Sequence, residues 1–165
     1  MSRSLAQLDR TDRRILDTLQ HHGRMSNVEL SKQVNLSPTP CLERVRRLEA
    51  DGFIDHYAAL LNPLKLEKKL CAYIEISLAS TTTKALQEFD QFMRSMPEVQ
   101  ECQMVAGGFD YLIKIRVKDM LDYQRFLGEQ LATIPGVAQT HTYVVINEVK
   151  SETAIPINES LTPGL

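Results

Sequence analysis

The sequence predicts an α+β chain, with a small helical domain in front and a βαββαβ sandwich behind it. Three observations carry this. A capping box and then a Pro-bounded helix entry fall within residues 26–52. A strand–helix–strand pattern occurs twice between residues 70 and 146, each helix ending in Pro-x-Val. Between the two parts, Lys65, Glu67, Lys68 and Lys69 mark exposed chain.

The first helix opens after Leu8-Asp9, with Asp9 as N-cap and Asp12 suited to the positive end of the helix dipole. Ile15, Leu16 and Leu19 form its buried stripe, and His21-His22-Gly23 ends it. Neighbouring helical residues do not face one site, so the His pair reads as a cationic helix end rather than a metal ligand pair. A second helix starts at Ser26, which has Glu29 three residues on as a capping box. Asn35-Leu36 breaks it. Ser37 then caps a third helix, with Pro38 and Pro40 tolerated in the first turn and the Thr39 N–H as the expected target of the Ser37 hydroxyl. Gly52 terminates that helix.

Two short helices around a tight turn, the second cationic, make a winged or plain helix-turn-helix. At ~100° per residue, Cys41, Val45, Leu48 and Leu42 gather on one side of the third helix. Thr39, Glu43, Arg46 and Arg47 lie opposite, flanked by Pro40 and Arg44, with Ser37 at the entrance. Such side chains can bond base edges or phosphates in a major groove, although an amphipathic helix also carries a solvated face for ordinary reasons.

Phe53 to Pro63 is β-leaning and reads as a connecting strand. The expected division is residues 1–52 for the helical domain, 53–68 for the strand and linker, 69–150 for the sandwich and 151–165 for a tail, frayed or docked. In the sandwich, Ala72, Ile74, Ile76 and Leu78 alternate with Cys71, Tyr73, Glu75 and Ser77. A helix from Thr82 to Met96 follows, then a strand from Val99 to Ala106. Gly107-Gly108 turns the chain into a strand alternating at Tyr111, Ile113, Ile115 and Val117. Asp119 caps a helix with its stripe at Tyr123, Phe126/Leu127, Leu131 and Ile134, and a last strand runs through Ile146. The order is ferredoxin-like, with helices on one sheet face. The other face, with Cys71, Tyr73 and Leu112 among polar groups, favours a second subunit as its cover, though antiparallel sheets tolerate a solvated face.

Composition narrows the classes. The 165 residues are 43% hydrophobic and 24% charged, ordinary for a soluble globular protein. No apolar run reaches the ~20 residues of a membrane span, and Met1 to Ala6 lacks the apolar core of a signal peptide, so a cytoplasmic location is expected. Cys41, Cys71 and Cys102 are odd in number and widely spaced, which argues against a disulfide framework or zinc site. Residues 1–56 carry 9 Lys and Arg against 8 Asp and Glu, and residues 57–165 carry 10 against 13, too small an asymmetry to decide function alone. Catalytic signatures such as Gly-x-Ser-x-Gly, a phosphate loop or Cys-x-x-Cys do not occur, so no enzyme, cofactor or metal is expected.

Ser26 to Ser31 and Leu36 to Glu49 resemble the DNA-binding domain of the Lrp/AsnC (feast/famine) family of transcription regulators, and the likeness continues into the second half. Gly107-Gly108-Phe109-Asp110-Tyr111 is similar to the family's effector turn, Gly-x-x-Asp-Tyr, with Gly108 where Asp is common. Alone, that turn reads as a plain hairpin, with Gly supplying φ > 0 and Asp the turn chemistry. The resemblance implies effector contacts at Gly107, Gly108, Asp110, Tyr111, Met120, Thr140, Thr142, Tyr143, Val144 and Val145, drawn from more than one chain. It implies partners too: double-stranded DNA, a small amino acid (leucine or another branched-chain one), and a homodimer assembling into a higher oligomer, an octamer first. The expected function is an amino-acid-responsive transcription regulator. The rival is an amino-acid-sensing regulatory subunit of a protein or enzyme partner; salt-dependent DNA retention separates the two.

Overall fold

The computed structural model describes residues 8–157, so residues 158–165 of the expected tail lie outside the described residues. The chain forms two compact units. One holds the chain up to Leu60 together with the stretch from Lys150 onward; the other runs Leu61–Val149.

In the first unit, α1 spans Arg10–His21, α2 Asn27–Gln33 and α3 Pro38–Ala50. The caps written in the sequence form. Asp12 N donates to Asp9 Oδ1 at 2.7 Å and Asp9 N to Asp12 Oδ2 at 3.4 Å, a capping box on α1. Ser26 N donates to Glu29 Oε2 at 3.0 Å and Glu29 N to Ser26 Oγ at 3.3 Å, the same device on α2. Asn35 takes φ 57°, the left-handed turn between α2 and α3. The expected Ser37 cap does not form: its hydroxyl makes no cap bond. Pro40 occupies the position whose N–H a capping hydroxyl commonly takes, and Thr39 N–H does not replace it. Instead Asn27 Nδ2 donates to Pro38 O at 2.8 Å and braces α2 to the entrance of α3.

At the far end, Gly52 (φ 76°) donates to Glu49 O and Phe53 N to Leu48 O, at 3.0 and 2.9 Å, a Schellman motif. Ile15, Leu19, Leu30, Val34, Cys41 and Leu48 make the core, with Phe53 and Ile54 packed on it.

The expected connecting strand is absent: residues 54–62 have no strand conformation. β-leaning side chains do not make a strand without a ladder partner, and in this chain that stretch has none. Asn62 Oδ1 then accepts from Leu64 N and Lys65 N and closes a turn.

The second unit has β1 (Leu70–Leu78), α4 (Thr83–Ser95), β2 (Val99–Met104), β3 (Tyr111–Val117), α5 (Met120–Arg125) and β4 (Val137–Val144). The antiparallel sheet has the order β2-β3-β1-β4, the ferredoxin-like arrangement. In register, Ile74 lies opposite Ile113 and Thr142. Ala72, Ile74, Ile76, Tyr111, Ile113 and Ile115 face α4 and α5 and are fully buried with Phe89, Phe126 and Leu131. The opposite face carries Tyr73, Glu75, Lys114, Arg116, His141 and Tyr143. Lys114 Nζ pairs with Glu101 Oε1 at 3.1 Å and sits 5.9 Å from the Tyr73 ring centre. β2 and β4 stop at Met104 and Val144, two residues short of their expected ends.

The last helix departs from the expected single α-helix. α5 widens into a π-helical turn at Phe126–Gln130 and tightens into a 3₁₀ turn at Leu131–Thr133. In an α-helix Phe126 and Leu131 would point ~140° apart. The wider turn turns both inward, and both are buried while Leu127 is only partly so. Leu131→Ala is therefore expected to cost ~2–5 kcal/mol in urea unfolding, and Leu127→Ala clearly less. Equal costs would mean that the helix continues at α spacing.

Candidate DNA-binding and effector-binding sites

On α3, Ser37, Thr39, Glu43 and Arg46 are exposed and Pro40 is half-buried. Thr39, Glu43 and Arg46 thus present the outward face that the wheel assigns to them. Arg44 and Arg47 behave differently. Arg44 Nη1 donates to Asp9 Oδ2 at 2.5 Å and to Asp12 Oδ1 at 2.8 Å, and Arg47 Nη2 donates to Asp12 Oδ2 at 2.6 Å. The Asp12 side chain is only 3% exposed, so one buried carboxylate of α1 holds two guanidiniums of α3. Residues three apart share a helix side, which is why one carboxylate reaches both. Their long stems let both heads swing back to α1, so Arg47 is not the freely outward cation that the wheel implies.

The network is electrostatically consistent. Partial burial works against the charged form of Asp9, but the Asp12 N–H and the Arg44 guanidinium outweigh it, and its carboxyl lies below the usual range. The hydroxyl and N–H of Ser26 hold Glu29 low in the same way. The outward charge of α3 is left chiefly to Arg46 and Glu43, the two aspartates offsetting Arg44 and Arg47.

The turn between β2 and β3 is built around Asp110. Its Oδ2 accepts from Leu78 N at 2.7 Å, its N donates to Ile76 O at 3.0 Å, and its O accepts from Val105 N at 2.9 Å. These bonds weld the turn to the end of β1. Gly107 and Gly108 are exposed, and a Cβ on either would meet nothing within 4 Å. Neither has a positive φ, so the plain-hairpin reason for glycine does not apply; open space in front of the backbone does.

The remaining expected effector residues do not converge within one chain. Tyr111 is a core residue, 1% exposed, with its ring 4.4 Å from Phe89 and its hydroxyl donating to Asp90 Oδ1 at 3.0 Å. Its side chain is committed to the core, and burial pushes its phenol upward, with Asp90 reinforcing. Alternation along β4 splits the rest: Thr140, Thr142 and Val144 share the helix-side register of Ile76, Ile74 and Ala72, while Tyr143 lies opposite Tyr73 on the other face. Val145 N donates to Cys71 O at 2.9 Å beyond the strand's end. Met120 is half-exposed at the start of α5. Tyr123, placed by the sequence only in an apolar stripe, donates from its hydroxyl to Thr142 Oγ1 at 2.8 Å. An aromatic with a polar tip, one α-helical turn after the Asp119 cap, was the available signal.

Asp12→Ala removes the buried carboxylate that holds two partly exposed guanidiniums, leaving Arg44 with Asp9 alone, and is expected to destabilise the first unit by ~1–3 kcal/mol in denaturant unfolding. Because Asp9 and Glu29 are held below their unfolded values, their contribution is present above pH ~4 and is lost as pH falls through the folded values. Melting of the wild type should fall steeply below that pH; a flat profile would exclude these carboxylates as contributors.

Comparison with known proteins places these features. Residues 8–55 match the family model for winged helix-turn-helix DNA-binding domains, and residues 71–155 match the Lrp/AsnC ligand binding domain. The chain is 53% identical over 150 residues to the leucine-responsive regulatory proteins of Escherichia coli K12 and Klebsiella pneumoniae, covering 91% of this chain and 92% of each relative. Among solved structures it is similar to a Neisseria meningitidis transcriptional regulator in complex with L-Met (TM-score 0.89, 39% identity, 92% of this chain and 98% of that one). It is also similar to Escherichia coli AsnC (TM-score 0.80, 27% identity, 90% and 99%). A helix-turn-helix with an outward polar face, followed on the same chain by a ligand-binding sandwich, belongs to the Lrp/AsnC family: this chain is a DNA-binding transcription regulator and not an enzyme.

Proposed function

We propose that the regulator's ligand is a free amino acid, leucine or another branched-chain one, sensed by a homodimer within an octamer or similar ring of dimers. The relatives at 53% identity are named leucine-responsive, and the Neisseria meningitidis relative was solved with L-Met. The observation that carries the reading is the Asp110 turn. A free amino acid brings one cation and one anion, and both need partners in a closed site. Asp110 supplies the only carboxylate in residues 107–111 and is held rigidly by the Leu78 N–H through one oxygen. The open backbone at Gly107 and Gly108 suits the ligand carboxylate.

Tyr111 then acts through its backbone. Met120, Thr140, Thr142, Tyr143, Val144 and Val145 meet the ligand only where neighbouring chains bring them to the turn of another. Assembly is supported by the helix-free sheet face and by the exposed Leu61, Leu64, Leu66, Ile146 and Val149 of the second unit, apolar side chains that a partner chain would cover. On DNA, Ser37, Thr39, Pro40, Glu43 and Arg46 of two copies read two half-sites in the major groove, while Arg44 and Arg47 set the pose of α3 through Asp12. The site of action is nucleoid DNA in the cytoplasm. Among the described residues, no helix is long and apolar enough to cross a membrane.

Two operator titrations test this. Arg46→Ala should cost ~1–3 kcal/mol at one base position while leaving the melting temperature unchanged. Uniform weakening across all sequences would assign Arg46 to a phosphate instead. Asp110→Asn keeps an oxygen for the Leu78 N–H and removes the charge. It should abolish the shift that leucine produces and leave basal DNA affinity intact. An equal leucine shift in both proteins would place the ligand's cation elsewhere, and loss of basal binding would make the turn structural.

A further inference from the structure

The stretch after β4 docks on α1. Gln20, on α1, faces the backbone of Ile155. Gln20 Nε2 donates to Ile155 O at 2.9 Å, and Ile155 N donates to Gln20 Oε1 at 2.9 Å. An amide that satisfies both the N–H and the C=O of one residue does what a neighbouring strand would do, and it needs the segment to be extended. Thr153, Ile155 and Ile157 stand at alternate positions, as in an extended chain, and line a cavity of about 450 Å³ with Leu19, Phe53 and Ile54. The segment therefore belongs to the compact unit of the helix-turn-helix, although it follows the sandwich in sequence.

Upstream, the same chain is tied to the sandwich. Val145 N donates to Cys71 O, and Arg116 Nη2 pairs with Glu148 Oε2 at 2.5 Å. Only residues 149–152 separate that ion pair from Thr153, a fully extended reach of at most ~18 Å. The covalent connection between the two units, residues 54–69, is much longer and has no strand in it.

We infer that residues 153–157 are a strap that ties the helix-turn-helix unit to the ligand-binding domain a second time, with Gln20 as its receptor. Docked, the strap replaces a long tether by a short one and narrows the volume that each reading head explores. Two heads on one oligomer then meet paired half-sites at a higher effective concentration. β4 carries the candidate ligand residues Thr140 to Val144 and leads through residues 145–152 into the strap, so the strap, closed by its hydrogen bonds to Gln20, is also a short route from ligand to DNA. The consequence for DNA rests on the reading of the regulator as a dimer on two half-sites; the docking itself does not.

The test uses full-length protein and a duplex with two half-sites, selected by the wild type from random DNA, beside the same duplex cut to one half-site. In the wild type the Ile155 amide should exchange slowly with deuterium, and Gln20→Ala should expose it. Gln20→Ala should weaken binding to the paired duplex by ~10-fold and leave the single half-site unchanged. Ile155→Pro, which deletes the donated N–H from the strap side, should do the same, and the double variant should lose no more than either alone. Rapid exchange at Ile155 in the wild type would overturn the strap. So would unchanged binding to the paired duplex, or equal loss on both duplexes. If the wild type shows no preference for paired half-sites, the dimer reading fails, and exchange at Ile155 still decides whether the strap docks.

Discussion

The placement of the recognition helix depends on one buried carboxylate. Asp12 is the charged residue at the centre of the helical core, and both of its oxygens are given to arginines of α3. A carboxylate removed from water is costly unless it is paired and bonded, and here the pairing comes from two residues one helical turn apart. Three constraints then meet on α3: the Asp12 network along one flank, the Asn27–Pro38 brace at its entrance, and Cys41 and Leu48 in the core. What remains free is the strip with Thr39, Glu43 and Arg46. The surface proposed to read DNA is defined by what the helix has already committed elsewhere.

Much of this was legible in the sequence, for local reasons. The capping box at Ser26 and the Asp9 cap need only residues three apart, and both form. Alternation at Ala72, Ile74 and Ile76, and again at Ile113, Ile115 and Val117, named the buried face of the sheet without knowledge of strand order. What failed depended on partners distant in the chain. Phe53 to Pro63 has β-leaning side chains but nothing to pair with. The wheel sorted Arg47 by angle alone and could not know that α1 presents a carboxylate beside it. The π-helical turn at Phe126 arises from fitting two large side chains to one core, and periodic patterns assume a constant period.

The expected effector residues show a different limit. The motif from Gly107 to Tyr111 is contiguous, yet its members have unlike duties: open backbone at the glycines, a bonded carboxylate at Asp110, and a packed ring at Tyr111. Along β4, neighbouring residues face opposite ways, so a run of six in sequence cannot form one wall in space. A site carried over by motif names positions. Burial and hydrogen bonding then decide which atoms at those positions are free to act, and here they leave side-chain, backbone and packing roles to different residues.

The two prolines at the start of α3 have a consequence for how this helix behaves in an open or searching state. Each fixes φ near −65° in the unfolded chain as well as the folded one, so the first turn is half-ordered before it packs. Helix ends ordinarily fray first, and the leading turn of α3 bears Thr39. If Thr39 reads DNA as proposed, a leading turn that resists fraying keeps that side chain in position while the protein slides along non-specific DNA. Mismatched sequences would then meet a stiff probe, unable to relax into a compromise fit, and discrimination would come from rigidity as much as from the bonds themselves.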